Sequence, residues 1–291
     1  MGLTPAYLEM FGRNIGFLSE IEMGRLREEP VFIAGVGGMG GACLLSLVRS
    51  GCENLGIADI DSFETSNLNR QVFANARTLG ADKAEATLDE IRQINPSAKI
   101  KNWGAGWLEQ IDAICAAHKI IVNGTDDIRA TLTLYRKAKE HGCTVIDAYT
   151  SPLPSVYVTT ASDPRPEERL GFPSVKKSVD QLTDDDLALC KLAEVVHVMV
   201  NSSSIHHVDF EIALQMVKGE RPRMSLAPMV ILTGNLMAYQ ALYLVIGRKA
   251  RMNKEGYFLN PLTGQVERPL RNPWRWIKSL MVKQFLRRSL S

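Results

Sequence analysis

The chain is poor in cysteine, with five in 291 residues and no C-x-x-C pair. Cys43, Cys52, Cys115, Cys143 and Cys190 are scattered and odd in number, which argues against a disulfide framework and against a cysteine-held zinc knot. Charge of one sign is lacking too. Lysine and arginine total 34 against 32 acids, a net charge of +2, so bulk charge selects no partner. There is no internal repeat and no low-complexity tract. The first twenty residues have no basic start followed by an apolar run, so no secretory signal is expected, and a reducing cytoplasm is the expected location. Long apolar runs are scarce. The one candidate, residues 227–247, contains Gly234, Asn235, Tyr239 and Gln240. Its polar side chains would be costly against lipid, so a buried core helix is expected there rather than a membrane span. With 45% hydrophobic and 23% charged residues, the chain can bury a sizeable core.

What is present is an alternation of short apolar runs and helical patterns. Strands are expected at 31–34, 55–60, 120–122 and 144–148. Helices are expected at 42–49, 81–94 and 128–139, the middle one ending at Asn95-Pro96 because the residue before proline leaves the α region. This order predicts βαβ units and an α/β fold: a Rossmann-like, mostly parallel sheet flanked by helices. After Ser151 the character changes. Residues 156–160 alternate like an antiparallel strand, and 162–186 read as an irregular excursion rich in proline, serine and charge. Helices are expected to return between 187 and 217. A small hairpin is expected at 257–260 and 265–268, around Pro261-Leu262-Thr263-Gly264. The expected organisation is one domain over 1–268, with a nucleotide-binding half at 1–150 and a substrate-side half at 151–268 carrying the antiparallel extension. A tail follows at 269–291.

Gly35-Val36-Gly37-Gly38-Met39-Gly40 follows a strand and opens a helix. Glycines there permit the tight turn and close backbone approach, and the helix N-terminus attracts phosphate. Asp59 ends the next strand, where an acid meets a ribose hydroxyl. Alone this pattern would favour NAD. Two cations and a later acid shift the reading. Ser66-Asn67-Leu68-Asn69-Arg70-Gln71 follows Asp59-Ile60-Asp61, Lys83 opens the next helix, and Thr125-Asp126 closes a later strand. Arg70 and Lys83 suit phosphate oxygens and Asp126 suits magnesium, a set that a triphosphate needs and a dinucleotide does not.

Taken together, the glycine loop, Asp59-x-Asp61, Ser66 to Gln71, Lys83 within Ala81 to Glu85, and Thr125-Asp126-Asp127 resemble the ThiF/MoeB/HesA family, the adenylating fold of ubiquitin-activating enzymes. The resemblance is strong over 11–148 and weaker around Leu226-Ala227-Pro228 and Thr233-Gly234. It implies ATP and Mg²⁺ as cofactors, with Gly38, Asn67, Arg70 and Lys83 at the phosphates, Asp59 at the ribose and Asp126 on the metal. It places Gly35, Gly37, Gly40, Asp61 and Gln71 around the nucleotide. Arg13, in Phe11-Gly12-Arg13-Asn14, resembles the arginine that reaches into a partner subunit's site, which implies a homodimer. The implied reaction is adenylation of a carboxylate, usually the C-terminus of a ubiquitin-like or sulfur-carrier protein, or of a peptide. Two alternatives stay open: an ATP-dependent tRNA threonylcarbamoyladenosine dehydratase-like enzyme, and a non-catalytic nucleotide-binding scaffold. The paired zinc cysteines of many members are absent from the sequence, so no zinc is expected.

Cys190 is the one candidate nucleophile, since some relatives place a cysteine after the excursion and Lys191 is adjacent; the alternative is a buried small hydrophobe. His206 and His207 point apart on a helix, and with Asp209 they lack a third spaced ligand. In the tail, Trp274, Ile277, Met281 and Phe285 fall at helical spacing among Arg275, Lys278, Lys283, Arg287 and Arg288, with Asn272-Pro273 as the start. Such a basic amphipathic helix can meet a membrane surface, a partner or its own domain. tRNA is a further possible partner, though no base-stacking platform is visible.

Overall fold

The structure is a computed structural model and describes residues 2–248 and 252–290. Two N-terminal helices, α1 (Pro5–Phe11) and α2 (Glu20–Glu28), precede the sheet. The parallel half then runs β1 (Val31–Ala34), α3 (Gly38–Arg49), β2 (Asn54–Ala58), α4 (Lys83–Ile94), β3 (Lys99–Asn102), α5 (Ile111–Ala117), β4 (Ile120–Asn123), α6 (Ile128–Glu140) and β5 (Thr144–Asp147). The second half runs β6 (Ser155–Thr159), α7 (Pro166–Leu170), α8 (Asp184–Asn201), α9 (Phe210–Val217), α10 (Ala227–Val245), β7 (Tyr257–Asn260), β8 (Gln265–Glu267) and α11 (Trp274–Leu290). One eight-stranded sheet results, in the order β3-β2-β1-β4-β5-β6-β7-β8. Pairing is parallel from β3 to β5 and antiparallel from β5 to β8.

The strands are short because both faces of the sheet are covered. Every residue of β1 and β4 is buried, which is why they read as unbroken apolar runs. The strand order reverses between β1 and β4, so the chain leaves these neighbours in opposite directions and opens a crevice beyond their C-terminal ends. The apolar helix α10 is long enough to cross a membrane by length and composition. Here it packs on α3, and Gly234 makes that possible: a Cβ there would lie 2.6 Å from the Cβ of Ala42 and 2.9 Å from the Cys43 nitrogen.

Five elements are absent from the expectations above: α1, α2, β3, α5 and α7. β3 is half exposed at the sheet edge, so its Lys-Ile-Lys-Asn alternation carries little apolar signal. The helix α5 is only seven residues long. The excursion at 162–186 is ordered by cations of α6. Arg136 donates to both carboxylate oxygens of Glu167, at 3.0 and 2.7 Å, and to the carbonyls of Ser174 and Lys177. Arg129 donates to the carbonyls of Val179 and Leu182. The tail forms the expected helix. Trp274, Ile277, Met281 and Phe285 stay exposed, while Leu286 packs with Val196 and Val200 of α8.

Candidate active site

At the switch point lies a cleft of roughly 1370 Å³. Its first wall is the turn from β1 into α3. Gly35 has φ +81°, and a Cβ there would fall 2.8 Å from the Gly124 carbonyl carbon, so only glycine lets the β1 and β4 ends approach. Gly37 caps α3 without a side-chain hydrogen bond. The first N–H groups of α3 therefore lack capping partners, beside Gly37 and Gly38 on the cleft wall. Gly40 differs from its neighbours in the loop. It does not line the cleft; it packs against the Gly35 carbonyl and Gly124 and sets how closely helix meets strand.

Asp59 is buried at the end of β2. Its Oδ2 accepts from the Val36 N–H at 2.8 Å and its Oδ1 from the Asp61 N–H at 3.0 Å. Burial pushes this carboxyl above its usual range, against the two N–H groups that favour the charged form. Asp59 thus holds the glycine loop as well as facing the cleft. Lys83 is 6% exposed and is the first residue of α4. Its N–H donates to the Asp61 carbonyl and its Nζ to Asp61 Oδ2, both short contacts of 2.9 and 2.8 Å. Asp61 therefore aims Lys83 across the cleft. Arg70 is steered by the Ser66 carbonyl and by Asn69 Oδ1, at 2.7 and 2.8 Å. Asn67 is buried and closes its own turn by accepting from the Glu64 N–H. Gln71 is buried against Gly37, and its Oε1 has no partner among the described residues.

The loop after β4 separates two adjacent acids. Asp127 accepts from the Ala130 N–H at 2.6 Å and caps α6. Asp126 is exposed on the cleft wall and has no protein partner among the described residues. No group of three or more His, Cys, Asp or Glu residues is placed to hold a metal among the described residues. A lone carboxylate suits Mg²⁺, which takes one or two carboxylates and fills its octahedron with phosphate oxygens and water. The charge balance fits as well. Five acids line this part of the wall, Asp59, Asp61, Glu64, Asp126 and Asp127, against three cations, Arg70, Lys83 and Arg129, so a bare polyphosphate would be poorly neutralised without a metal.

Arg13 lies on the exposed turn Gly12–Asn14 and does not line this chain's cleft. Cys190 is not placed as a nucleophile. It is fully buried in a cluster with Ile128, Leu132, Phe172 and Leu182, and burial pushes its thiol up, away from the reactive thiolate. His207 receives a hydrogen bond from Asn260 and Asp209 caps α9, so both serve local structure.

Several wall residues have no short motif. Ala105, Trp107 and Leu108 follow β3, and Tyr149 to Pro152 follow β5. The far wall comes from α8, α9 and the start of α10. Beneath Tyr149 sits a polar cluster: Arg169 donates to its hydroxyl at 2.6 Å, and burial drives neighbouring His197 down to about 3.

A glycine turn at the switch point, an uncapped helix N-terminus, two steered cations and a lone acid define a nucleotide-binding enzyme site of the Rossmann-like class. The ThiF family profile matches residues 11–273, and the chain belongs to the ThiF family. Among curated relatives, the chain is 31% identical over 139 residues to tRNA threonylcarbamoyladenosine dehydratase 2 of Saccharomyces cerevisiae, covering 46% of this chain and 31% of that enzyme. It is 33% identical over 104 residues to the molybdopterin-synthase adenylyltransferase of Escherichia coli, covering 35% of this chain and 42% of the relative. The matches thus span well under half of these two relatives. Among solved structures, E. coli MccB with ATP superposes with a TM-score of 0.64 at 14% identity, over 93% of this chain and 73% of that one. E. coli tRNA N6-threonylcarbamoyladenosine dehydratase with AMP gives 0.60 at 16% identity, over 85% of this chain and 98% of that one. At these identities the superpositions speak to fold.

Proposed function

We propose that the protein is an ATP-dependent adenylyltransferase acting on a carboxylate. The observation that carries this reading is the convergence of the α3 N-terminus, Arg70, Lys83 and the unpartnered Asp126 on one cleft with room for a second substrate. A carboxylate oxygen attacks the α-phosphorus of ATP, the bond to the bridging oxygen breaks, and pyrophosphate leaves with both bonding electrons. The product is an acyl-adenylate. Arg70 and Lys83 spread the phosphate charge, and the α3 N–H groups hold phosphate oxygens. Asp126 would hold Mg²⁺, which neutralises charge on the departing pyrophosphate.

The substrate carboxylate is borne by a peptide or a small carrier protein in this reading. The peptide arm is supported by the likeness to MccB, also solved with N-formylated MccA (TM-score 0.63, 15% identity). A second reading, a dehydratase acting on modified tRNA, is favoured by the 31% match to the yeast enzyme. In both readings the protein is a homodimer, with Arg13 reaching a second copy's cleft. Arg13 is exposed and does not line its own cleft, and Ile15, Phe17 and Ile21 are exposed beside it in sequence. The five free thiols suit a reducing compartment, and a cytoplasmic location goes with this reading.

The test is pyrophosphate exchange into ATP, with carrier proteins, peptides and threonylcarbamoyladenosine-containing tRNA supplied in turn. Exchange that depends on one of them is expected, and the one that works selects the reading. Exchange that survives Asp126→Ala undiminished would remove Asp126 from the mechanism.

A further inference from the structure

The cleft is larger than a nucleotide alone requires. Sites for single small ligands run about 300–1,000 Å³, and this one reaches roughly 1370 Å³. Its two ends differ sharply in chemistry. Every acidic side chain on the wall belongs to the nucleotide end. The α8–α9 side carries Lys191 and no acid among its described lining residues, whereas Arg223 adjoins the nucleotide end, where Asn69 donates to the Ser225 carbonyl.

On this side the wall is mostly apolar. Val198 and Met199 of α8, Phe210, Leu214 and Val217 of α9, and Met229 of α10 face the same space. The helix α9 is the telling element. Six of its eight residues, Phe-Glu-Ile-Ala-Leu-Gln-Met-Val, are apolar, yet none is buried by the protein. Protein packing leaves its apolar side unfinished, and five of those six residues line the cleft. The wall is nonetheless anchored. Asp209 caps α9, and the Phe210 ring packs 5.1 Å from that of Phe285 on α11. Asn260 of β7 donates to His207 and to Glu267, and Glu267 also receives the Ser203 N–H, fixing the corner between α8 and α9. Four of the chain's eleven methionines, Met199, Met216, Met224 and Met229, line this end. Their unbranched, polarisable side chains fit irregular apolar shapes.

We infer that the carboxylate this enzyme activates is borne on a bulky apolar group, which fills the far end of the cleft between α8, α9 and α10 while the carboxylate itself reaches the nucleotide end. The inference rests on the adenylation reading and narrows its substrate. A terminus of two glycines would leave this wall wet, whereas an apolar side chain removes its surface from water. Two sources share this chemistry: a peptide or protein chain ending in a residue such as leucine or phenylalanine, and a free aliphatic or aromatic acid.

The experiment compares three sets of substrates in pyrophosphate exchange on the full chain: short peptides ending in leucine or phenylalanine, the same peptides ending in Gly-Gly, and free acids such as octanoate and phenylacetate. In parallel, calorimetry with a non-hydrolysable ATP analogue present measures binding of each without requiring reaction. Apolar carboxylates are expected to exceed the Gly-Gly peptides by roughly tenfold or more in exchange and in affinity; which apolar set wins identifies the source. Leu214→Glu and Met216→Glu, each checked for an unchanged melting temperature, are expected to lower that preference at least about tenfold while Mg-ATP binds as before. Equal or better use of Gly-Gly peptides overturns the inference and leaves adenylation standing. Apolar binding that Leu214→Glu and Met216→Glu both leave unchanged also overturns it. Selective apolar binding without exchange keeps the inference and sinks adenylation.

Discussion

The two ends of the cleft are built by different means. At the nucleotide end, Gly35 to Gly38, Asp59, Arg70 and Lys83 come from turns at strand ends, and several act through backbone N–H groups. At the other end, Met199, Phe210, Leu214 and Met229 come from three helices, and their chemistry is side-chain surface. The first construction tolerates few residue types at each position. The second asks only for apolar bulk, so many sequences satisfy it. The site therefore combines a nearly fixed glycine-loop end with an adjustable apolar end.

The largest expected effect tests how the second half is tied to the first. Arg136 pairs with Glu167, whose side chain is only 1% exposed. Arg136→Ala removes that two-pronged pair and the hydrogen bonds to the Ser174 and Lys177 carbonyls, leaving Glu167 with Arg165 and the Ser174 hydroxyl, and is expected to cost about 3–5 kcal/mol; a urea midpoint unchanged from wild type would show that the excursion does not depend on α6. Next comes Asp126→Ala, expected to lower pyrophosphate exchange by about 10²–10³-fold while the melting temperature holds. A comparable loss of stability would turn Asp126 into a structural residue and blur the contrast between the ends. Gly40→Ala should cost about 1–3 kcal/mol by pushing α3 off the Gly35 carbonyl, with weaker ATP binding as a consequence. Full stability in chemical denaturation would show that the loop has more slack than its geometry allows. Cys190→Ala is expected to lower stability by about 1 kcal/mol and to leave both adenylation and product transfer intact. Lost transfer with intact adenylation would restore Cys190 as a nucleophile.

The last comparison concerns pH. Burial, with the nearby Asp147 carboxylate, pushes Glu194 up to about 8 from an ordinary 4.5. A group raised on folding contributes stability that is complete below its unfolded value and is lost as pH rises through its folded value. Wild type should therefore weaken between pH 4.5 and about 8, and Glu194→Gln should flatten that slope. Parallel profiles in urea titrations of the two proteins would mean that Glu194 sheds its proton without penalty.

Much of the nucleotide end was legible because its motifs are local. A glycine loop after a strand, then an acid one strand later, is a short-range pattern forced by backbone geometry. Lys83 and Arg70 were legible by company rather than by pattern. Gly40 was read as lining the site and instead packs helix on strand, since a motif fixes backbone path but not which neighbour each glycine serves. The tail helix was legible as a helix, but which side packs on the domain was not: its periodic apolar stripe stays exposed, while Leu286, outside that stripe, is buried.

By itself the sequence determined the α/β alternation, the phosphate-binding turn and the cations that turn the reading from a dinucleotide to a triphosphate. These follow from periodicity, turn chemistry and charge, all local along the chain. Only the tertiary structure decided that Asp61 aims Lys83, that Cys190 is sealed in a core, and that residues from 187 to 229 meet as one apolar wall. Those facts depend on contacts between elements distant in sequence, where many residue choices serve equally well and no short pattern records the outcome.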